Sequence, residues 1–185
     1  HIDDIIGSAK AEIKWQKNST NHIVANINID NMLTERLGLG NRYPEKSLSI
    51  TSNIDVRGTC LDDITGNISI NDAALKSADT TTILVGPYNL DINTSTEPDC
   101  RNLYIKSNFI NASAIGDYKF TTLLATIQNH LHKELPNIIS KKPLKVADNL
   151  NFSISIQDTT FLRHIILKNI TIPEEATITG NIYGS

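Results

Sequence analysis

The sequence predicts a mainly β chain: an elongated antiparallel sheet with one long amphipathic helix packed on it. Three observations carry that expectation. Apolar residues recur at every second position in many short runs, the period of a strand with one dry face and one wet face. The apolar residues are largely isoleucine, valine and leucine, and the polar ones asparagine, serine, threonine and aspartate, a mixture of strand formers and turn formers. One stretch, from Asp117 onward, changes to helical spacing.

Taken in order, Ala11, Ile13 and Trp15 alternate with Glu12, Lys14 and Gln16, and Ile23, Ala25, Ile27 and Ile29 do the same after a polar turn at 17–21. This pattern predicts a hairpin. Asp30 to Leu39 reads either as one helical turn capped by Asp30 or, the favoured reading, as an irregular corner closed by Gly38 and Gly40. Leu48, Ile50, Ser52, Ile54 and Val56 share one parity. After a turn from Gly58 to Asp63, Ile64, Gly66, Ile68 and Ile70 share another, so two strands face one interior. Thr82 to Leu84 and Tyr88 to Ile92 form a pair broken by Gly86-Pro87, and proline there predicts an edge or a bend. Leu103 to Phe109 is a strand, Ala114 to Tyr118 a turn-rich link, and Tyr118 to Leu135 a helix closed by Pro136. The helix presents Phe120, Leu123, Leu124, Ile127, Leu131 and Leu135 at i, i+3, i+4 and i+7 spacing and is expected to cover the sheet. Leu150 to Ile156, Phe161 to Leu167, Ile170 to Ile172 and Ile178 to Ile182 complete the strands. Ile64-Thr65-Gly66-Asn67-Ile68 and Ile178-Thr179-Gly180-Asn181-Ile182 form a weak internal repeat, expected to mark similar strands along one axis.

A length of 185 residues suits a single β-rich module spanning 1–185. The start at His1 and the strand-like end at Ile182 give the expectation of a fragment cut from a longer, repeat-containing chain. A net charge of -3 with scattered lysines and arginines offers no basic stripe for a phosphate backbone, so nucleic acid is not an expected partner. The longest apolar runs, such as Ile83 to Val85 and Ile165 to Leu167, fall far short of the ~20 residues of a membrane span.

The chain lacks Gly-x-Ser-x-Gly, Walker and dinucleotide-binding glycine patterns, and no enzymatic activity or cofactor is expected. His130 and His132, two apart on a helix, point different ways and read as solvated rather than as a metal pair. Asp91, Asn93, Ser95 and Glu97 resemble the opening of a calcium loop, but Thr96 stands where glycine is needed and Asn102 where a bidentate glutamate is needed. The acid pairs Asp62-Asp63 and Glu174-Glu175 read as solvent-facing turn residues. Cys60 and Cys100 leave two readings open, a disulfide or free thiols, with Cys60 continuing the inward parity of Ile54 and Val56.

The continuous apolar face remains. It fits a filled β-sandwich core, as in a structural or adhesive surface domain, and it also fits an open groove for lipid acyl chains, which need apolar surface without specific hydrogen bonds. A glycan-binding or hydrolytic domain has little support, because only Trp15 and a few tyrosines are available to stack on sugars.

A family resemblance bears on that choice. Leu37-Gly38-Leu39 after the Ile29-Asp30-Asn31 strand end, Leu48 to Gly58 followed by Ile64 to Asp72, and above all Leu103 to Tyr118 leading into a helix resemble the repeat region of the TamB family. These are large AsmA-like envelope proteins, the inner-membrane components of the translocation and assembly module of Gram-negative bacteria. Asn108 stands where that family more often has aspartate. The resemblance implies a curved sheet, β-taco or sandwich-like, in a periplasmic protein whose parent chain is anchored in the inner membrane. It further implies phospholipid transport between inner and outer membranes, or outer-membrane protein assembly, with phospholipid acyl chains and an outer-membrane barrel as partners. The groove wall would be Leu48, Ile50, Ile54, Val56, Ile68, Ile70, Leu103, Ile105 and Phe109.

Overall fold

The computed structural model describes residues 7–17, 19–79, 82–97, 100–134, 136–137, 140, 148–158 and 176–183. Within them the chain forms one open nine-stranded sheet in which every strand pairs antiparallel with its sequence neighbours, in the order β1 to β9. The strands are β1 (Ser8–Lys17), β2 (Asn21–Leu33), β3 (Lys46–Gly58), β4 (Thr65–Ser77), β5 (Ile83–Glu97), β6 (Cys100–Ser107), β7 (Ile110–Asp117), β8 (Asn149–Ile156) and β9 (Thr177–Ile182). A single turn of 3-10 helix, Leu61–Asp63, joins β3 to β4, and the helix α1 (Phe120–Glu134) joins β7 to β8.

The expected hairpins are present, and the corner expected at Asp30 to Leu39 lies at 34–45, because β2 runs on to Leu33. Thr34 holds it: its side chain is completely buried, its hydroxyl donates to the Tyr43 carbonyl, and its backbone N–H donates to the Lys46 carbonyl. Glu35 adds a second tie by accepting the Glu45 N–H at 2.9 Å, which lowers the carboxyl pKa.

Two expectations about strands are corrected. Gly86-Pro87 does not divide the segment into two strands, because β5 runs through it; the expected edge and bend are both there, since β6 pairs with β5 only from Leu90 to Glu97 and the β4–β5 register shifts between Ala73 and Leu75. The proline is accommodated where the β4–β5 register is already irregular, between Ala73 opposite Tyr88 and Leu75 opposite Val85. The stretch from Ala114 to Asp117 is not a turn but the end of β7, bonded to β6 and β8. Gly116, read as a turn residue, sits in that strand at φ +149°, where a Cβ would lie 2.1 Å from the Asn149 carbonyl oxygen. The expected strands at Phe161 to Leu167 and Ile170 to Ile172 lie outside the described residues.

A line of bulges crosses one end of the sheet. Register shifts fall between Ile29 and Met32 in β2, between Ser49 and Thr51 in β3, and between Ile70 and Ala73 in β4, with Asn31 at φ +47° and Asp72 at φ +54°. Side chains take up the freed backbone donors: Ser49 Oγ accepts the Asn31 N–H and Asn89 Oδ1 accepts the Asp72 N–H. The shift in β2 also keeps the apolar face continuous, since Met32 lands opposite Leu48, and Leu48 opposite Leu75.

Candidate functional site

Register turns the period-two pattern into rows. Ile13 pairs with Ala25, Ala25 with Ile54, Ile54 with Ile68, Ile68 with Ile92, Ile92 with Ile105, Ile105 with Ala112, Ala112 with Ile154 and Ile154 with Ile178. Directly opposed residues share a face, so one unbroken isoleucine and alanine row crosses all nine strands. The neighbouring row on the other face reads Glu12, Asn26, Asn53, Ser69, Asp91, Lys106, Asn111, Ser155 and Thr177. One face is therefore dry in character across the full width and the other hydrophilic.

Of the nine groove-wall residues read from the sequence, Leu48, Ile50, Ile54, Val56, Ile68, Ile70, Leu103 and Ile105 are strand residues, all half-buried. Phe109 is a correction. It lies in the tight β6–β7 turn rather than in a strand, buried edge-on against Tyr88 with ring centroids 5.3 Å apart. Ser107 builds that turn, its hydroxyl donating to the Ile110 carbonyl and accepting from the Ile110 N–H.

Burial along the face is graded. At the β6–β9 end, α1 closes a packed cluster of Ala114, Tyr118, Leu150 and Phe152, joined by Leu103, Phe120, Leu123, Ile127, Ile154, Ile178 and Ile182. At the β1 end Ile13 is 66% exposed and Trp15 65%. The face has a covered end and a bare end.

Three polar clamps set the helix. Asp62, at the β3–β4 turn, accepts both the backbone N–H and the hydroxyl of Thr121 at 2.9 Å, satisfying first-turn donors that the helix itself leaves open. Those bonds lower the carboxyl pKa, the Thr121 N–H contributing most. Arg101, from β6, lies 4.7 Å from the Phe120 ring centroid and donates to the Asp62 carbonyl oxygen. Asp148, 3% exposed just before β8, accepts the Thr126 hydroxyl at 2.5 Å and the Thr122 hydroxyl at 3.2 Å.

These clamps overturn several expectations. The helix is 15 residues long and begins at Phe120, since Tyr118 is tied into the cluster by its hydroxyl, which donates to the Ala114 carbonyl; burial pushes its pKa up to about 12. Leu124, expected on the covering face, is 78% exposed, because Asp148 draws the Thr122 and Thr126 side of the helix inward. Phe120, Leu123 and Ile127 cover the sheet as expected, Leu131 is half-buried, and Leu135 lies outside the described residues. His130 is not simply solvated; its ring stands edge-on to Phe152 at 5.8 Å. Asp62 and Asp63 are not free turn acids either, because Asp63 accepts the N–H groups of Thr59 and Cys60, while Glu174 and Glu175 lie outside the described residues.

Cys60 and Cys100 are free thiols, the second of the two readings that the sequence leaves open. Cys60 is also exposed rather than inward, because the strand ends at Gly58 and the Asp63 carboxylate folds the chain back at Thr59 and Cys60. Asp91, Asn93, Ser95 and Glu97 lie along the straight strand β5, which cannot wrap a cation, and no metal-holding cluster occurs among the described residues. No described helix is long and apolar enough to cross a membrane.

Phe152, Arg101, Asp62 and Asp148 escaped the sequence reading as members of the site. Each acts on a partner far along the chain, and only Phe152 carried a local signal, its place in the alternation of β8. No protein-family model, curated protein or solved structure matches the chain.

Proposed function

We propose that this chain is a non-enzymatic, lipid-handling section of an envelope bridge, in which the dry face of the sheet carries phospholipid acyl chains. The observation behind this reading is the isoleucine and alanine row that runs from Ile13 to Ile178 with no charged residue in it. Acyl chains need apolar surface of this kind and no directed hydrogen bonds, and the hydrophilic opposite face suits contact with water.

The line of bulges supports curling of the sheet toward a trough, since each bulge adds local twist and bend. The resemblance of Leu103 to Tyr118 to the TamB repeat supports the setting: a periplasmic segment of a chain anchored in the inner membrane, working between the two membranes or beside an outer-membrane barrel. A second reading, a structural module with a filled core, draws on the packed cluster under α1. The two readings meet within one sheet, with a filled end at β6–β9 and an open trough toward β1.

The test is native mass spectrometry of the purified chain after incubation with phosphatidylethanolamine and phosphatidylglycerol. Bound phospholipid that is lost in Ile54→Asp, with the Phe152 cluster still folded by near-ultraviolet circular dichroism, supports the trough. A clean unliganded mass at every lipid concentration, or binding indifferent to Ile54→Asp, rejects it.

A further inference from the structure

The bare end of the sheet carries an interaction surface of its own. Strand β1 pairs only with β2, so alternate backbone N–H and C=O groups along its outer edge have no strand partner among the described residues. Every residue of β1 is exposed. Its apolar side, Ala9, Ala11, Ile13 and Trp15, and its polar side, Lys10, Glu12, Lys14 and Gln16, are separated by strict alternation.

We infer that two copies of this chain pair edge to edge along β1, antiparallel about a two-fold axis at Ile13, with Glu12 of each copy facing Lys14 of the other. Charge and size select that register. For the apolar faces of two copies to coincide, odd-numbered residues must oppose odd-numbered ones. Centring on Glu12 would set Glu12 against Glu12 and Lys10 against Lys14, and like charges directly opposite are repulsive. Centring on Ala11 would pair Lys10 with Glu12 but leave Trp15 beyond the end of the partner strand. Centring on Ile13 pairs Ala9 through Lys17, gives two reciprocal Glu12–Lys14 pairs, sets Lys10 against neutral Gln16, and lays each Trp15 over the small Ala11 of the other copy.

Lys14 has no ion pair among the described residues, and in this register it brings a second cation to the Glu12 carboxylate, which already bonds Lys10 within its own strand at 3.0 Å. An isologous edge contact closes after two copies, so this contact gives a finite dimer in which the apolar sides of the two sheets meet at Ile13, with Lys17 opposite Ala9 at each end of the seam. This inference stands independently of the lipid-handling reading.

The experiment is sedimentation velocity on the 185-residue chain over a concentration series. The expected result is a monomer–dimer equilibrium that Lys14→Glu weakens by about tenfold, turning two attractive cross-strand pairs repulsive. The double variant Glu12→Lys with Lys14→Glu restores it, because the reciprocal pairs reform with signs exchanged. Both side chains are exposed, and unchanged far-ultraviolet circular dichroism checks that the variants fold. A monomer at all concentrations, an open-ended polymer, or a dimer indifferent to Lys14→Glu overturns the proposal.

Discussion

Asp62 accepts the backbone N–H of Thr121 at 2.9 Å across 59 positions of sequence, so the first turn of α1 is capped by a carboxylate from the β3–β4 turn. The same carboxylate takes the Thr121 hydroxyl. A negative charge at a helix N-terminus is also favoured by the helix dipole. Asp62→Ala is therefore expected to lower the denaturation midpoint and to speed hydrogen exchange at Thr121 more than at amides of β2 and β3. Equal acceleration everywhere would mean that Asp62 serves the sheet as a whole rather than the helix end.

Acid should loosen this corner. Asp63 has a pKa lowered to about 2 by the Thr59 hydroxyl first and then by the Cys60 N–H, and Asp62 is lowered by the Thr121 N–H. A carboxyl whose folded pKa lies below its unfolded value contributes stability that is fully present above the unfolded value and is lost as pH falls through the folded one. Urea midpoints should thus fall between about pH 4 and about pH 2. Asp63→Asn should flatten that fall; an acid limb of unchanged steepness would assign it to other carboxyls.

Local periodicity made the sheet legible and left the clamps hidden. Alternation in Leu48 to Val56 and Ile64 to Ile70 predicted two facing strands, and pairing of Ile54 with Ile68 is that prediction realised. Alternation says nothing of what a strand end touches. Asp62, Arg101 and Asp148 act on a helix distant from them in sequence or set by tertiary packing, so their roles became visible only with the fold. Hydrophobicity placed Leu124 inward, yet the helix turns Thr122 and Thr126 toward Asp148 instead. Glycine misled at one place: Gly116 read as a turn signal, while it lies within β7 opposite Arg101 on one side and Leu150 on the other.

Asp148 supplies a third prediction. Asp148→Ala strips the buried Thr126 hydroxyl of its acceptor, while the Thr122 hydroxyl keeps the Lys119 carbonyl at 3.1 Å, and should cost about 1–3 kcal/mol in urea denaturation. Adding Thr126→Val removes one orphaned donor together with its partner. The double variant should then lose less than the sum of the two single losses. Strict additivity would mean that Thr126 and Asp148 do not support each other.

Gly180 and Phe152 offer the sharpest packing test. The two residues are directly paired across β8 and β9, and a Cβ at position 180 would lie 2.4 Å and 2.6 Å from two atoms of the Phe152 ring and 3.2 Å from His130 Nε2. Phe152 is held in the core and His130 stands edge-on to it, so neither ring can withdraw without opening the contact under α1. Gly180→Ala should accordingly cost about 1–3 kcal/mol through overpacking. Phe152→Ala alone leaves a cavity and should cost about 3–5 kcal/mol. Combined, the two changes should be less damaging than their sum, because the new methyl enters the space the ring has vacated. Thermal and urea denaturation of the four proteins measures this directly. A full sum would mean that the strand shifts to admit the methyl, and that the close approach of β9 to Phe152 is not what requires glycine there.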